Sequence, residues 1–162
     1  MSQPEEKREI SVLNKFVIID LETIGLYKET GKIIEIAALK VDNWEVVEEY
    51  NQLVNPEIKI PRVVTNLTGI RNIDIKDQPT INDCLGSFLE FIGDLPIVGH
   101  NLISFDKPFI EYNLQQHGLA NVLNNLSFDT LELAIFLQPE LRKHKLEFLY
   151  KHLVSSNVKQ QH

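Results

Sequence analysis

Asp20 and Glu22 stand one residue apart at the end of the apolar run Phe16-Val17-Ile18-Ile19, and Thr23-Ile24-Gly25 follows directly. On an extended backbone, side chains at i and i+2 project to the same side. The two acids should therefore leave the strand together. Like charges placed together repel and resist burial unless a cation lies between them, so this spacing can begin a divalent metal site. It equally suits an Asp that ends a strand and a Glu in the next turn, and spacing alone leaves the two level. A second group lies in His100-Asn101-Leu102-Ile103-Ser104-Phe105-Asp106. Asp106 falls in the first turn of an expected helix, where the macrodipole favours negative charge. The same place faces the strand ends at which open α/β sheets build their sites.

The surrounding pattern supplies the elements to hold these groups. Residues 16–19, mostly β-branched, read as a strand buried on both faces. Residues 32–42 and 45–54 read as two further strands, joined as a hairpin by the turn signal Asp42-Asn43. Pro56 and Pro61 then interrupt the ladder. Helical spacing over 80–91 has Thr80 as its N-cap. Residues 96–99 form a short buried strand, and Ser104 caps a helix that reaches 116 and ends at Gly118. Residues 130–137 and 145–153 read as two more helices. Strands first, then strand and helices, predict an α/β or α+β architecture with a mixed sheet.

At 162 residues and 43% hydrophobic, the chain suits one compact domain. A polar lead-in over 1–14 is expected to precede a domain over 15–162. No apolar run nears the ~20 residues that span a bilayer, and the polar start does not look like a signal peptide. The single cysteine, Cys84, sits among Leu85, Phe88 and Leu89 and reads as a core residue of a reducing, cytoplasmic protein. A formal net charge of −7 weighs against nucleic-acid binding by bulk electrostatics. It leaves open a phosphodiester held through metal ions, which bring their own positive charge. Arg142-Lys143-His144-Lys145, Lys151 and Lys159 read first as a solvated helix face and second as phosphate contacts. His100, His117 and His152 read as surface or helix-end residues rather than ligands.

Five segments in order carry a family resemblance: Asp20-Leu21-Glu22-Thr23-x-Gly25, Leu67-Thr68-Gly69-Ile70, His100-Asn101-x-x-x-Phe105-Asp106, Phe128-Asp129-Thr130-Leu131 and His144-Lys145-Leu146. Together they resemble the His branch of the DEDD-type 3′→5′ exonucleases, especially the proofreading kind found with replicative DNA polymerases or fused to helicases. The resemblance implies an RNase H-like α/β fold, a mixed sheet flanked by helices, and two divalent ions, Mg²⁺ or Mn²⁺. It places Asp20 as the carboxylate bridging both ions, Glu22 on the nucleophile-side ion and Asp106 on the other. Thr23 and Gly25 then bring backbone close to the terminal nucleotide, Leu26 packs on its base, and Asn101 and Phe105 shape the pocket. Two ions ~3.5–4 Å apart activate a water and neutralise the attacking and leaving oxygens, and a histidine takes the water's proton.

Two departures stand out. Ile24 occupies a position where the family usually has a second Thr. The family's third motif is a His followed five positions on by the fourth metal-binding Asp, yet no Asp follows Asp129. His162 is the candidate base; the Asp would then lie beyond it, and the final helix of the fold would be absent or unformed. Three functions are consistent with this sequence. The first is a DNA 3′→5′ exonuclease acting on single-stranded 3′ ends. The second is a catalytically impaired module that binds such ends or a polymerase or helicase partner. The third is a nuclease of the same fold acting on RNA or short oligonucleotides.

Overall fold

The computed structural model describes residues 13–119 and 123–158. Most of the expected lead-in therefore lies outside the described residues, as do Lys159 and His162. Strand β1 (Lys15–Ile24) alternates: Val17, Ile19 and Leu21 are buried, while Ile18 between them keeps 36% exposure. This corrects the expectation of burial on both faces. Ile18 pairs with Leu39 and Val98 across the ladder, and both are only half-buried.

β2 (Lys32–Asp42) and β3 (Glu45–Leu53) pair antiparallel as the expected hairpin. Asn43 and Trp44 form the turn with φ of 50° and 69°, the left-handed pair that matches strand twist in a two-residue loop. Trp44 also packs edge-on against Phe16 with ring centroids 5.9 Å apart. Beyond Pro56 the chain forms two short helices that periodicity had not signalled, α1 (Arg62–Thr68) and α2 (Asn72–Ile75). No residue of α1 is buried, so it has no apolar stripe to read. Gly69, at φ 81°, closes α1 by donating its N–H to the Thr65 carbonyl.

α3 (Ile81–Ile92) starts as expected at Thr80, whose N–H and hydroxyl both bond Asp83, and it buries Cys84, Leu85, Phe88 and Ile92. After it come β4 (Ile97–Gly99), α4 (Asp106–Gln116), β5 (Ser127–Asp129), α5 (Thr130–Leu137) and α6 (Leu146–Val158). Ser104 does not cap α4. The helix begins at Asp106 with Phe105 in the capping position, because the turn before it is closed by backbone bonds from Phe105 to Asn101 and from Lys107 to Leu102.

The sheet order is β3-β2-β1-β4-β5. The β1–β4 and β4–β5 pairs are parallel and the others antiparallel, which makes a mixed sheet with β1 at its centre. The main core sets Phe88, Phe109, Ile110 and Leu114 against Val17, Ile19, Leu21 and Ile97. Each fully buried Phe stabilises by roughly 1.5–3 kcal/mol. A second cluster, Ile34, Ile60, Ile70 and Ile75, packs with Ile24, Leu53 and Val64. The two cores meet at a bulge: Glu22 pairs with Glu35 but Thr23 pairs with Ile33, leaving Ile34 unpaired. Such bulges kink a strand and re-aim its side chains. Among the described residues no helix is long and apolar enough to cross a membrane.

Candidate active site

Asp20 and Glu22 lie on the same side of β1, away from the buried Leu21 between them. Asp106 is brought to them across the parallel β1–β4 connection. Its Oδ1 accepts the Leu21 N–H at 3.0 Å, so the first residue of α4 is bonded to the peptide between the two acids. Asp106 is 3% exposed. Burial, then the charge of Asp20, push its carboxyl up to about 7 against the pull of the Leu21 bond. Asp20 keeps an open side, yet burial is still the main cause of its raised pKa, opposed by His100. Glu22 is raised by burial, then by Asp20 and by Glu35 across the ladder. Burial at the end of the central strand thus holds all three carboxyls above their ordinary values, with the charge of Asp20 adding to the effect on Glu22 and Asp106.

The loop that delivers Asp106 is tied down by a carboxylate from another strand. Asp129 accepts N–H bonds from Asn101 (2.9 Å), Ile103 (3.0 Å) and Leu131 (2.9 Å). It caps α5 and at the same time holds the 100–103 turn, where Asn101 adopts φ 69°. His100 is set by Thr130: Nδ1 lies 3.0 Å from the hydroxyl, which donates to the Gly99 carbonyl at 3.2 Å.

After Glu22 the chain turns sharply. The Thr23 hydroxyl donates to the Gly25 carbonyl at 2.8 Å, and Gly25 sits at φ 86°. The turn presents Leu26 and Tyr27 to solvent at 76% and 74% exposure. Leu26 and Phe105 line one pocket of about 290 Å³ together with Tyr27 and Phe109. Asn101 lines a different hollow, with His100, His144 and Lys145.

The Exonuclease family (RNase_T) matches residues 17–162. The chain belongs to the exonuclease family. PolC-type DNA polymerase III of Clostridium perfringens is 40% identical over 140 residues, covering 86% of this chain and 10% of that protein. The PolC-type enzyme of Halalkalibacterium halodurans is 40% identical over 138 residues, covering 85% and 10%. The chain thus spans about a tenth of the length of these curated relatives. Among solved structures, exonuclease X in complex with 5′-overhanging duplex DNA superposes with a TM-score of 0.66 at 28% identity, covering 85% of this chain and 72% of that one. Product-bound exonuclease I superposes at 0.71 with 19% identity, covering 86% and 38%, and shows the shared fold.

Within this exonuclease-family chain, sequence reasoning missed two contributors to the site. Asp129 enters the sequence reading only within the segment Phe128-Asp129-Thr130-Leu131, without a role; its bonds to residues 26 and 28 positions earlier have no local signal. His100 reads as a surface residue, but it is half-buried and close enough to Asp20 to lower its pKa. Its place directly after a buried three-residue strand was the available clue. His117 does end α4, and His152 stacks on Phe148 along α6, as expected of helix-surface residues.

Proposed function

We propose that this chain is a metal-dependent 3′→5′ exonuclease that releases nucleoside monophosphates from DNA 3′ ends. The Leu21–Asp106 bond carries the proposal: it fastens a buried carboxylate to the peptide that joins Asp20 to Leu21, next to Glu22, against the cost of burying its charge. The donor set fits hard divalent cations such as Mg²⁺ or Mn²⁺, since it is made of carboxylate oxygens whose mutual repulsion a dication relieves. Asp20, Glu22 and Asp106 would hold two such ions, which when bound supply an activated water and charge neutralisation at the phosphate. With ions bound, Asp20 would be the shared donor, Glu22 would serve the ion on the side of the incoming water and Asp106 would serve the other. The Thr23–Gly25 turn lets backbone approach the terminal nucleotide, while Leu26 and Phe105 enclose its base in the pocket they share. Asn101 is assigned to shaping the substrate pocket from the neighbouring hollow it lines, and His162 is assigned as the base that takes the water's proton. The PolC relatives and the duplex-bound exonuclease X support DNA over RNA, and the PolC relatives support a polymerase as working partner; a helicase partner and a cytoplasmic setting are part of the proposal.

A 5′-labelled single-stranded DNA tests this. Incubation with Mg²⁺ or Mn²⁺ should give a ladder shortening from the 3′ end. The ladder should vanish in EDTA and in an Asp20→Asn, Glu22→Gln protein. An intact strand after prolonged incubation would refute it. One observation favours the second reading, a module that binds ends without cleaving them. Among the described residues, no three His, Cys, Asp or Glu side chains stand close enough to hold an ion together. Retention of the intact strand, with no shortened product, would select that function.

A further inference from the structure

A second hollow, of about 440 Å³, opens beside α1 and α2 and is lined by Lys59, Pro61, Arg62, Thr65, Arg71 and Asn72. Its frame is built. Ile60, 1% exposed, is an anchor of the second cluster. Its N–H donates to Asn72 Oδ1 at 2.8 Å, and its carbonyl accepts from Asn72 Nδ2 at 3.2 Å. This two-way clamp fixes the backbone on which Lys59 and Arg62 stand to either side. Among the described residues neither cation enters an ion pair. Arg71 forks onto Asp74 through Nε (2.9 Å) and Nη2 (2.7 Å), which leaves its remaining N–H donors uncommitted.

Lys59 and Arg62 thus bring two unneutralised cations to one fixed hollow of a chain whose net charge is −7. They matter because the candidate active site is itself made of carboxylates, which repel a polyanionic strand until cations are bound. The hollow also lies near that site. Ile24, two residues past Glu22, packs into the cluster that Ile60 anchors, and α1 contacts β1 directly. We infer that the Lys59–Arg62 hollow is a phosphodiester-binding site that holds the nucleic-acid strand away from the reacting end. The inference rests on the exonuclease proposal for the identity of the strand, and extends it by separating a grip on the backbone from the chemistry at the terminus. Contacts of this kind position the strand without reading its sequence.

The test compares the unmodified protein with a Lys59→Gln, Arg62→Gln variant. Both residues are exposed, so the thermal midpoint should not move. The probe is a twelve-nucleotide 5′-fluorescein single-stranded DNA, with affinity read by anisotropy in EDTA over a series of salt concentrations. Each lost phosphate contact lowers the slope of log affinity against log salt by about 0.7 on a single strand. Two lost contacts should make it shallower by about 1.4, with roughly tenfold weaker binding at low salt. In a separate assay with Mn²⁺ in place of EDTA, hydrolysis of thymidine 5′-monophosphate p-nitrophenyl ester, too short to reach the hollow, should proceed equally in both proteins. Unchanged affinity and slope, with the short ester still cleaved, would overturn this site and leave the exonuclease proposal standing. A fall in cleavage of the short ester equal to the fall in strand binding would overturn it too. Failure of the unmodified protein to bind the strand in EDTA would overturn this site alone, whereas failure to cleave the ester with Mn²⁺ present would overturn the exonuclease proposal on which it rests.

Discussion

Replacing Asp106 by Asn gives the sharpest test of how the candidate site is held. In the folded protein the Asp106 carboxyl is pushed from its ordinary 3.8 to about 7. At 1.36 kcal/mol per unit, that amounts to up to about 4 kcal/mol. The sign follows from proton counting. Between about pH 4 and pH 7 the folded protein keeps a proton that the unfolded chain has released, so stability falls as pH rises. The contribution is fully present below 3.8 and lost as pH rises through about 7. Asp106→Asn retains a carbonyl oxygen to accept the Leu21 N–H and has no such titration. Urea unfolding followed by circular dichroism in EDTA, from pH 5 to pH 8, should therefore show a steeper loss in the unmodified protein. By pH 8 the variant should be the more stable of the two. Asp20 and Glu22, both raised, contribute a residual slope common to the two proteins. Added Mg²⁺ or Mn²⁺ should restore stability at pH 8 to the unmodified protein far more than to the variant. Parallel pH profiles, or a variant less stable at pH 8, would refute the idea that Asp106 is held against its charge.

Three further outcomes are expected. Asp129→Ala strands three backbone N–H groups and should cost about 2–4 kcal/mol; a loss below 1 kcal/mol in chemical unfolding would show that water takes over its role. Gly31→Ala places a Cβ 2.8 Å from both Phe109 Cζ and the Tyr27 carbonyl, and should destabilise by about 1–3 kcal/mol while displacing the Leu26–Tyr27 turn. An unchanged melting temperature would count against that contact. Leu26→Ala, at an exposed position, should leave stability within about 0.5 kcal/mol and raise KM for a single strand severalfold, with kcat little changed. A drop in melting temperature instead would mark Leu26 as a structural residue.

The β2–β3 hairpin and the apolar start of β1 were legible because these runs are rich in β-branched residues and β2 and β3 meet at a turn with left-handed demands, while the pairing of β1 with β2 had no local signal. Helix α3 was legible for a similar reason, with an apolar stripe and a polar cap in agreement. β5 was not, since three residues ending in Asp129 look like the approach to α5 and acquire strand character only by pairing with β4. Nor was the start of α4. Ser104 is a good cap by residue type, but the capping geometry belongs to Phe105 once the turn before it closes on backbone bonds. Asp20 and Glu22 were placed on one side by the period of a strand alone. That Asp106 joins them through the peptide of Leu21 depends on the parallel pairing of β1 with β4, two elements about eighty residues apart, and no local pattern encodes that.

The bulge in β2 has a consequence for how this chain can vary. By strict alternation Ile33 and Ile36 would face opposite ways. The unpaired Ile34 lets both enter the main core while Ile34 itself enters the second one. The spacing of those three isoleucines therefore acts as a ruler for the neighbouring strand, setting where Glu22 ends its pairing and the Thr23–Gly25 turn begins. Loops such as 25–31 can absorb an inserted or deleted residue by changing shape. Between Ile33 and Ile36 a single inserted or lost codon would exchange the two cores' side chains and rotate the acid-bearing end of β1, without touching any residue that does chemistry.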